Sequence, residues 1–258
     1  MNKKNKSILG NIFYTLLAPV VIILVWQLAS NAGWINSTIL PSPEKIVEKL
    51  IQLIANKKLF INLGISIWRV VQGFLIGSIL GLILGTLMGL FAKVNRILNS
   101  LVGILRPVPM IAWIPLLILW IGIGEGSKVA VIIIGTFWPV LLNTIQGIKS
   151  TDVKLLEVAT ILEKKRWIVL AKVILPSALP SIITGLRLGS GTAWSCVVAA
   201  EMIAASKGIG YMIMYAREMS QPATIFVGVF SIGVIGLLID KGFLKLERHL
   251  LRWNRMDE

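Results

Sequence analysis

Reactive chemistry in this chain must be sought among very few side chains. His249 is the only histidine and Cys196 the only cysteine in 258 residues. No metal site or nucleophilic triad can be assembled from them, and no intrachain disulfide can form. What stands out instead is charge inside long apolar stretches: Arg106, Arg187 and Glu201. A charge at membrane depth is costly and marks either a structural pair or a pathway. Arg106 precedes Pro107-Val108-Pro109, where proline removes helical hydrogen bonds and kinks the chain. Either a kinked, partly hydrated helix or an interfacial elbow before a shorter span would accommodate it. Glu201 reads as a partner for a cation such as Lys207 or as a pathway residue. Arg187 is placed to snorkel to lipid phosphate or to attract an anion, and Asp240 with Lys241 reads as a membrane boundary. Gly122 to Lys128 looks superficially like a phosphate loop, but Ser127 stands where glycine must precede the lysine. No catalytic residue, metal ligand or bound cofactor is expected on this chain.

The elements that must carry these charges are membrane helices. Apolar residues make up 56% of the chain and mean hydropathy is +0.83. Charge is absent between Lys6 and Glu44, Arg69 and Lys93, Arg106 and Glu125, Lys128 and Lys149, and Glu218 and Asp240. Each such stretch is long enough to contribute a span, about 20 helical residues for a core of about 30 Å. A further span fits between Pro180 and Ala205. The reading is all-α and polytopic, with six transmembrane helices near 12–30, 70–92, 98–122, 129–148, 181–203 and 223–241. Residues 1–11 form a cytoplasmic N-terminus, 12–241 the six-helix domain with a cytoplasmic loop at 149–180, and 242–258 a cytoplasmic tail. The net charge of +14 is explained by topology: with both termini inside, the inner segments hold most lysines and arginines. That placement argues for lipid contact and against nucleic acid. The N-terminal apolar run continues to Ser30 and reads as a retained first span rather than a cleaved signal.

Local patterns refine this. In the outer segment 31–69, Ile46, Val47, Leu50, Ile51 and Ile54 share one helical face, Ser42 is placed to cap it and Pro43 suits its first position. This predicts a short helix lying at the outer interface. Gly73, Gly77, Gly81, Gly85 and Gly89 recur every fourth residue, a small-xxx-small ridge for close helix packing. No internal repeat is visible, which weighs against an inverted-repeat carrier.

The segment 149–180 is too charged to enter lipid: Glu157, Glu163, Lys164, Lys165, Arg166 and Lys172 fall within it, with Pro176 and Pro180. It reads as two short helices. The first is capped by Ser150, Thr151 or Asp152; the second, about 166–175, is expected to stop at Pro176. By physics alone it is either a helix on the inner leaflet or a docking element for a soluble partner.

This segment resembles the EAA loop of bacterial ABC-importer permeases: EAA, three residues, G, nine residues, I, any residue, LP. Glu157 matches the acid, Ala159 the second alanine, and Leu175 and Pro176 the terminal LP. Val158 and Val173 replace the first alanine and the isoleucine. Glu163 stands where the family has glycine, and glutamate tolerates positive φ poorly, so the turn is expected to shift toward Lys164–Lys165 or the first helix to run on. Leu40-Pro41-Ser42-Pro43, Arg106-Pro107 through Ala112-Trp113-Ile114-Pro115, Trp120 through Gly124, Thr184-Gly185-Leu186-Arg187, Ala199-Ala200-Glu201 and Gly208-Ile209-Gly210 are similar to the nitrate/sulfonate/taurine branch, over residues 12–253.

The resemblance implies the type I ABC-importer transmembrane fold and a permease in the bacterial cytoplasmic membrane. Its implied partners are a second permease subunit, expected to be an identical copy, two ATP-binding subunits carrying ATP and Mg, and an extracytoplasmic solute-binding protein. It implies coupling to the ATPase through Glu157, Ala159, Glu163, Leu175 and Pro176. A small anionic solute is the expected cargo, with a vitamin precursor as the second reading. An ion-coupled secondary carrier is the competing class.

Overall fold

The computed structural model describes the backbone of residues 3–251 and the side chains of residues 17–251. Arg252 and Arg255 of the expected basic tail lie outside the described residues, as do the side chains of Lys3, Lys4 and Lys6. Among the described residues every regular element is helical. Two compact units are present, residues 1–61 with 212–231 and residues 62–211 with 232–258.

Four helices are long and apolar enough to cross a membrane: α3 (Lys58–Leu90), α6 (Glu125–Lys149), the continuous helix Arg166–Ala204, and α11 (Pro222–Leu250). A fifth crossing exists only if α4 (Ala92–Leu105) and α5 (Met110–Ile121) are taken together, and these meet at 97°. The expected third span at 98–122, read as a kinked helix or as an elbow before a shorter span, is broken at this bend. Pro107 and Pro109 withdraw two donors where the ladder would continue, and Arg106 sits at the C-cap of α4. The expected first span falls on α1 (Lys3–Asn31), whose part Leu17–Asn31 is a shorter apolar helix. Several helices exceed their expected ranges: α3 has 33 residues, about 50 Å at 1.5 Å per residue, well beyond a hydrocarbon core.

In the first unit, α2 (Pro43–Ala55) forms as the pattern requires. Ser42 Oγ accepts the Lys45 N–H at 3.4 Å and proline opens the first turn. Ile46 and Leu53 are buried, whereas Val47, Ile51 and Ile54 of the expected apolar face stay exposed, as suits a helix lying against lipid. The Glu44 N–H donates to Gln27 Oε1 at 3.3 Å, and Trp26 packs on Phe226 with ring centroids 5.7 Å apart.

In the second unit the glycine ridge of α3 meets a matching ridge on α6. A Cβ on Gly73, Gly77, Gly81, Gly85 or Gly89 would come within 2.5–3.0 Å of Ile132, Ile133, Thr136, Val140, Thr144 or Ile148. The fourfold spacing is thus a register of two helices in near-backbone contact. The core beside it joins Ile114 and Leu117 of α5, Val131 and Ile132 of α6, and Ala193 to Ala200 of the long helix.

The loop 149–180 departs from expectation at its second helix, which does not stop at Pro176. A short turn, α8 (Arg166–Val169), passes through a π-helical stretch at Leu170–Ile174 into α9 (Leu175–Ala204) without a break. In the π turn the Leu175 N–H reaches back five residues to Leu170 O. The widened turn makes room for the ring of Pro176, which enters the first turn of α9, where a missing N–H is tolerated best.

Candidate functional site

Asp152 is the cap among the three candidates: its carboxylate accepts the Lys154 N–H at 2.9 Å and starts α7 (Val153–Ile161). The end of α7 corrects the expected shift of the turn. Glu163 keeps the position and adopts φ +48°. Its N–H donates to Thr160 O at 3.0 Å and the Lys164 N–H to Ala159 O at 3.1 Å. This pair of bonds is the Schellman closure, which places its left-handed residue where glycine is usual. A side chain there costs about 1–2 kcal/mol. Glu163→Gly is expected to tighten the turn by about 1 kcal/mol, read as slower amide exchange over residues 159–164; faster exchange would contradict it.

Ala159 is buried and faces the second arm of the loop, while Glu157 and Glu163 are exposed. Between the arms runs a groove of about 710 Å³, lined by Leu156, Ala159, Glu163, Trp167, Leu170 and Ile174 among others. Leu175 and Pro176 do not line it. Val158, Ile161, Leu162 and Trp167 project uncovered, at 53%, 79%, 58% and 65% exposure, among the exposed cations Lys154, Lys164, Lys165, Arg166 and Lys172.

The intramembrane charges resolve differently from one another. Glu201 is 1% and Arg69 3% exposed. Arg69 Nη1 donates to Glu201 Oε1 at 2.7 Å and to Lys207 O at 2.8 Å, and its Nε and Nη2 grip Glu125 at 2.6 and 2.7 Å. Ser66 Oγ lies 2.7 Å from Glu201 Oε1, and the Gly210 N–H donates to Glu201 Oε2 at 2.9 Å. Lys207, the expected partner, contributes its carbonyl, not its ammonium. Gly208 has φ +119°, and a Cβ there would meet the Glu201 carboxylate. Glu201 is therefore structural, joining α3, α6, α9 and the 205–210 turn. Arg69 is the residue that the sequence does not single out: there it only bounds the charge-free stretch that runs to Lys93. The available signal was an opposite charge near the outer end of a second span.

Arg187 does not reach for lipid phosphate. It forks onto Asp240, with Nε to Oδ1 at 2.7 Å and Nη2 to Oδ2 at 3.0 Å, and lies 3.7 Å from Glu247. Asp240, expected as a boundary residue, is this partner. Arg106 is exposed at the elbow between α4 and α5. His249 lies exposed in the last turn of α11.

Residues 62–251 match the model of the binding-protein-dependent transport system inner membrane component. The chain belongs to this family. It is similar to the putative aliphatic sulfonates transport permease protein SsuC of Bacillus subtilis (strain 168), 45% identical over 94% of this chain and 88% of that protein. It is also similar to the taurine transport system permease protein TauC of Escherichia coli (strain K12), 36% identical over 91% and 87%. The fold is that of a chain of the MetNI methionine ABC transporter in inward-facing conformations, with a TM-score of 0.62 and 18% identity over 79% of this chain and 98% of that one. As an ABC transport permease, the chain holds its apolar helices in the inner membrane.

Proposed function

We propose that the chain is the pathway subunit of an ATP-driven importer of a small anionic solute, a sulfonate such as taurine or an oxyanion such as nitrate. Two copies form the pathway, each with six spans and both termini in the cytoplasm. ATP and Mg are bound and hydrolysed on two separate subunits, and a solute-binding protein delivers cargo from outside. The relatives named for aliphatic sulfonates and taurine support the solute class.

The observation that carries this reading is the loop 153–174: a capped helix and a grooved turn that leave Val158, Ile161 and Leu162 uncovered outside any candidate span, with Trp167 uncovered in the first turn of the helix that follows. Exposed apolar side chains rimmed by charge mark a protein contact. Glu157 and Glu163 present the surface that docks into the ATPase, Ala159 seats α7 against the second arm, and Leu175 and Pro176 fix that arm. Closure of two ATPases on ATP then draws the docked segments together and biases the membrane helices between inward-facing and outward-facing states.

The test is co-purification in mild detergent with an ATPase assay. A P-loop ATPase is expected to co-purify with the chain, and Glu157→Lys is expected to release it and abolish ATP-driven uptake while leaving the permease inserted. Undiminished uptake with the reversed charge would sink the docking assignment. Uptake that stops on collapse of the proton gradient at constant ATP would favour a secondary carrier.

A further inference from the structure

The height of the elbow between α4 and α5 can be read against α6. The three-residue turn Gly122–Gly124 folds α5 back along α6, with Ile121 Cγ2 3.1 Å from where a Gly126 Cβ would sit, and Ile114 and Leu117 share a core with Val131 and Ile132. The 12 residues of α5 cover about 18 Å and the 25 of α6 about 37 Å at 1.5 Å per residue. Arg106 therefore stands near the half-height of α6, not at an interface.

At that depth the Arg106 guanidinium has neither a hydrogen bond nor an ion pair among the described residues; only its backbone N–H is bonded, to Val102 O. No Asp or Glu occurs between Glu48 and Glu125. The carboxylates on the spans are already engaged: Glu125 and Glu201 by Arg69, Asp240 and Glu247 by Arg187. An unpaired arginine at mid-membrane is too costly to be left facing hydrocarbon. α4 shows which way it faces. Ile97, Leu101 and Ile104, at 69%, 53% and 69% exposure, form an apolar side suited to lipid. Asn95, Asn99 and Arg106 share the opposite side at 3.6 residues per turn. This polar side climbs from the inner end of the helix to the elbow. The first turn of α5 begins there without a side-chain cap and adds the positive end of its dipole.

We infer that Arg106 is the anion-contacting residue of the solute path, and that the Asn95–Asn99 side of α4 lines the route from it to the cytoplasm. This rests on the permease reading above and assigns the site at which a sulfonate or comparable oxyanion is neutralised midway. A guanidinium suits three-oxygen acceptors through its fork of donors. A single, otherwise unengaged cation attracts the anion and, set in a hydrated path, releases it again.

The test uses the whole transporter in inside-out vesicles, with Cys196→Ala and Gly103→Cys. Gly103 lies one turn below Arg106, and a Cβ there meets nothing within 4 Å. Two methanethiosulfonate reagents are compared, one bearing a sulfonate and the other a trimethylammonium group. The sulfonate reagent is expected to react faster, and Arg106→Gln to reduce that preference roughly tenfold, the scale on which a charged cleft concentrates counter-ions. Arg106→Lys should keep most of it. No reaction with either reagent, with or without ATP, or a preference that Arg106→Gln leaves unchanged, overturns the assignment. The importer reading fails separately, by loss of the co-purifying ATPase, so the two failures are distinguishable.

Discussion

Arg69→Met is expected to cost more stability than Arg69→Met combined with Glu201→Gln. The single change leaves the Glu201 carboxylate, 1% exposed, without its guanidinium. Breaking a buried pair from one side costs about 3–5 kcal/mol, whereas removing both charges is often close to neutral. Glutamine in place of Glu201 can keep its one oxygen at the Oε2 position, which lies 2.8 Å from Ser66 Oγ and 2.9 Å from the Gly210 nitrogen. Arg69 also ties down Lys207 O and Glu125, so the double variant is not expected to recover fully. The Glu125 contact is 65% exposed on the carboxylate side and contributes little by comparison. An SDS unfolding titration of the four members of the cycle reads the coupling directly. If the double variant is no more stable than Arg69→Met, the pair does not hold the Arg69 end of α3 and the Glu201 end of α9 together.

This network also shows where reading the chain stops. Spans are legible because lipid forbids charge, so stretches free of Lys, Arg, Asp and Glu announce them, and Gly73 to Gly89 announce their own packing face by spacing alone. The start of α2 was legible from Ser42 and Pro43 because capping is local. Arg69 and Glu201 are 132 residues apart, and nothing local tells a buried cation near a span's end from a surface one. Pro176 was misread for a related reason: proline forbids an ordinary helical bond, but whether a π turn absorbs it depends on what the widened turn packs against. At Glu163 the sequence showed the absence of glycine, not that the surrounding Schellman bonds hold a glutamate in its place. The start of the charged loop was legible to within three candidate caps, of which Asp152 is the one used, but its continuity with α9 was not. The depth of Arg106 needed the pairing of α5 with α6, which only the fold supplies.

Gly77→Val is expected to separate α3 from α6 and to lower the yield of folded protein more than any other single apolar substitution on α3. A Cβ at Gly77 would lie 2.7 Å from Ile133 O and 2.8 Å from Thr136 Cβ. The first of these is backbone, and cannot rotate away as a side-chain tip would. Even Gly77→Ala must move one helix, at the ~1–3 kcal/mol typical of overpacking. In a bilayer the loss is not offset by a hydrophobic drive to re-associate, because lipid tails satisfy exposed leucine as well as a neighbouring helix does; close packing itself holds the pair. Gly64→Ala supplies the opposite sign on the same helix: a Cβ there meets nothing within 4 Å, so helix propensity should stabilise it by roughly 0.5–1 kcal/mol. The ridge also predicts how two changes combine. Once Gly77→Ala has pushed α3 outward, part of the room needed by Gly85→Ala already exists, so the double variant should fall short of the sum of its parts. Thermal unfolding of the purified permease, monitored by the monodisperse fraction on size exclusion, tests all three statements. Gly77→Ala that melts at or above the wild-type temperature would show that the glycines are not the contact surface.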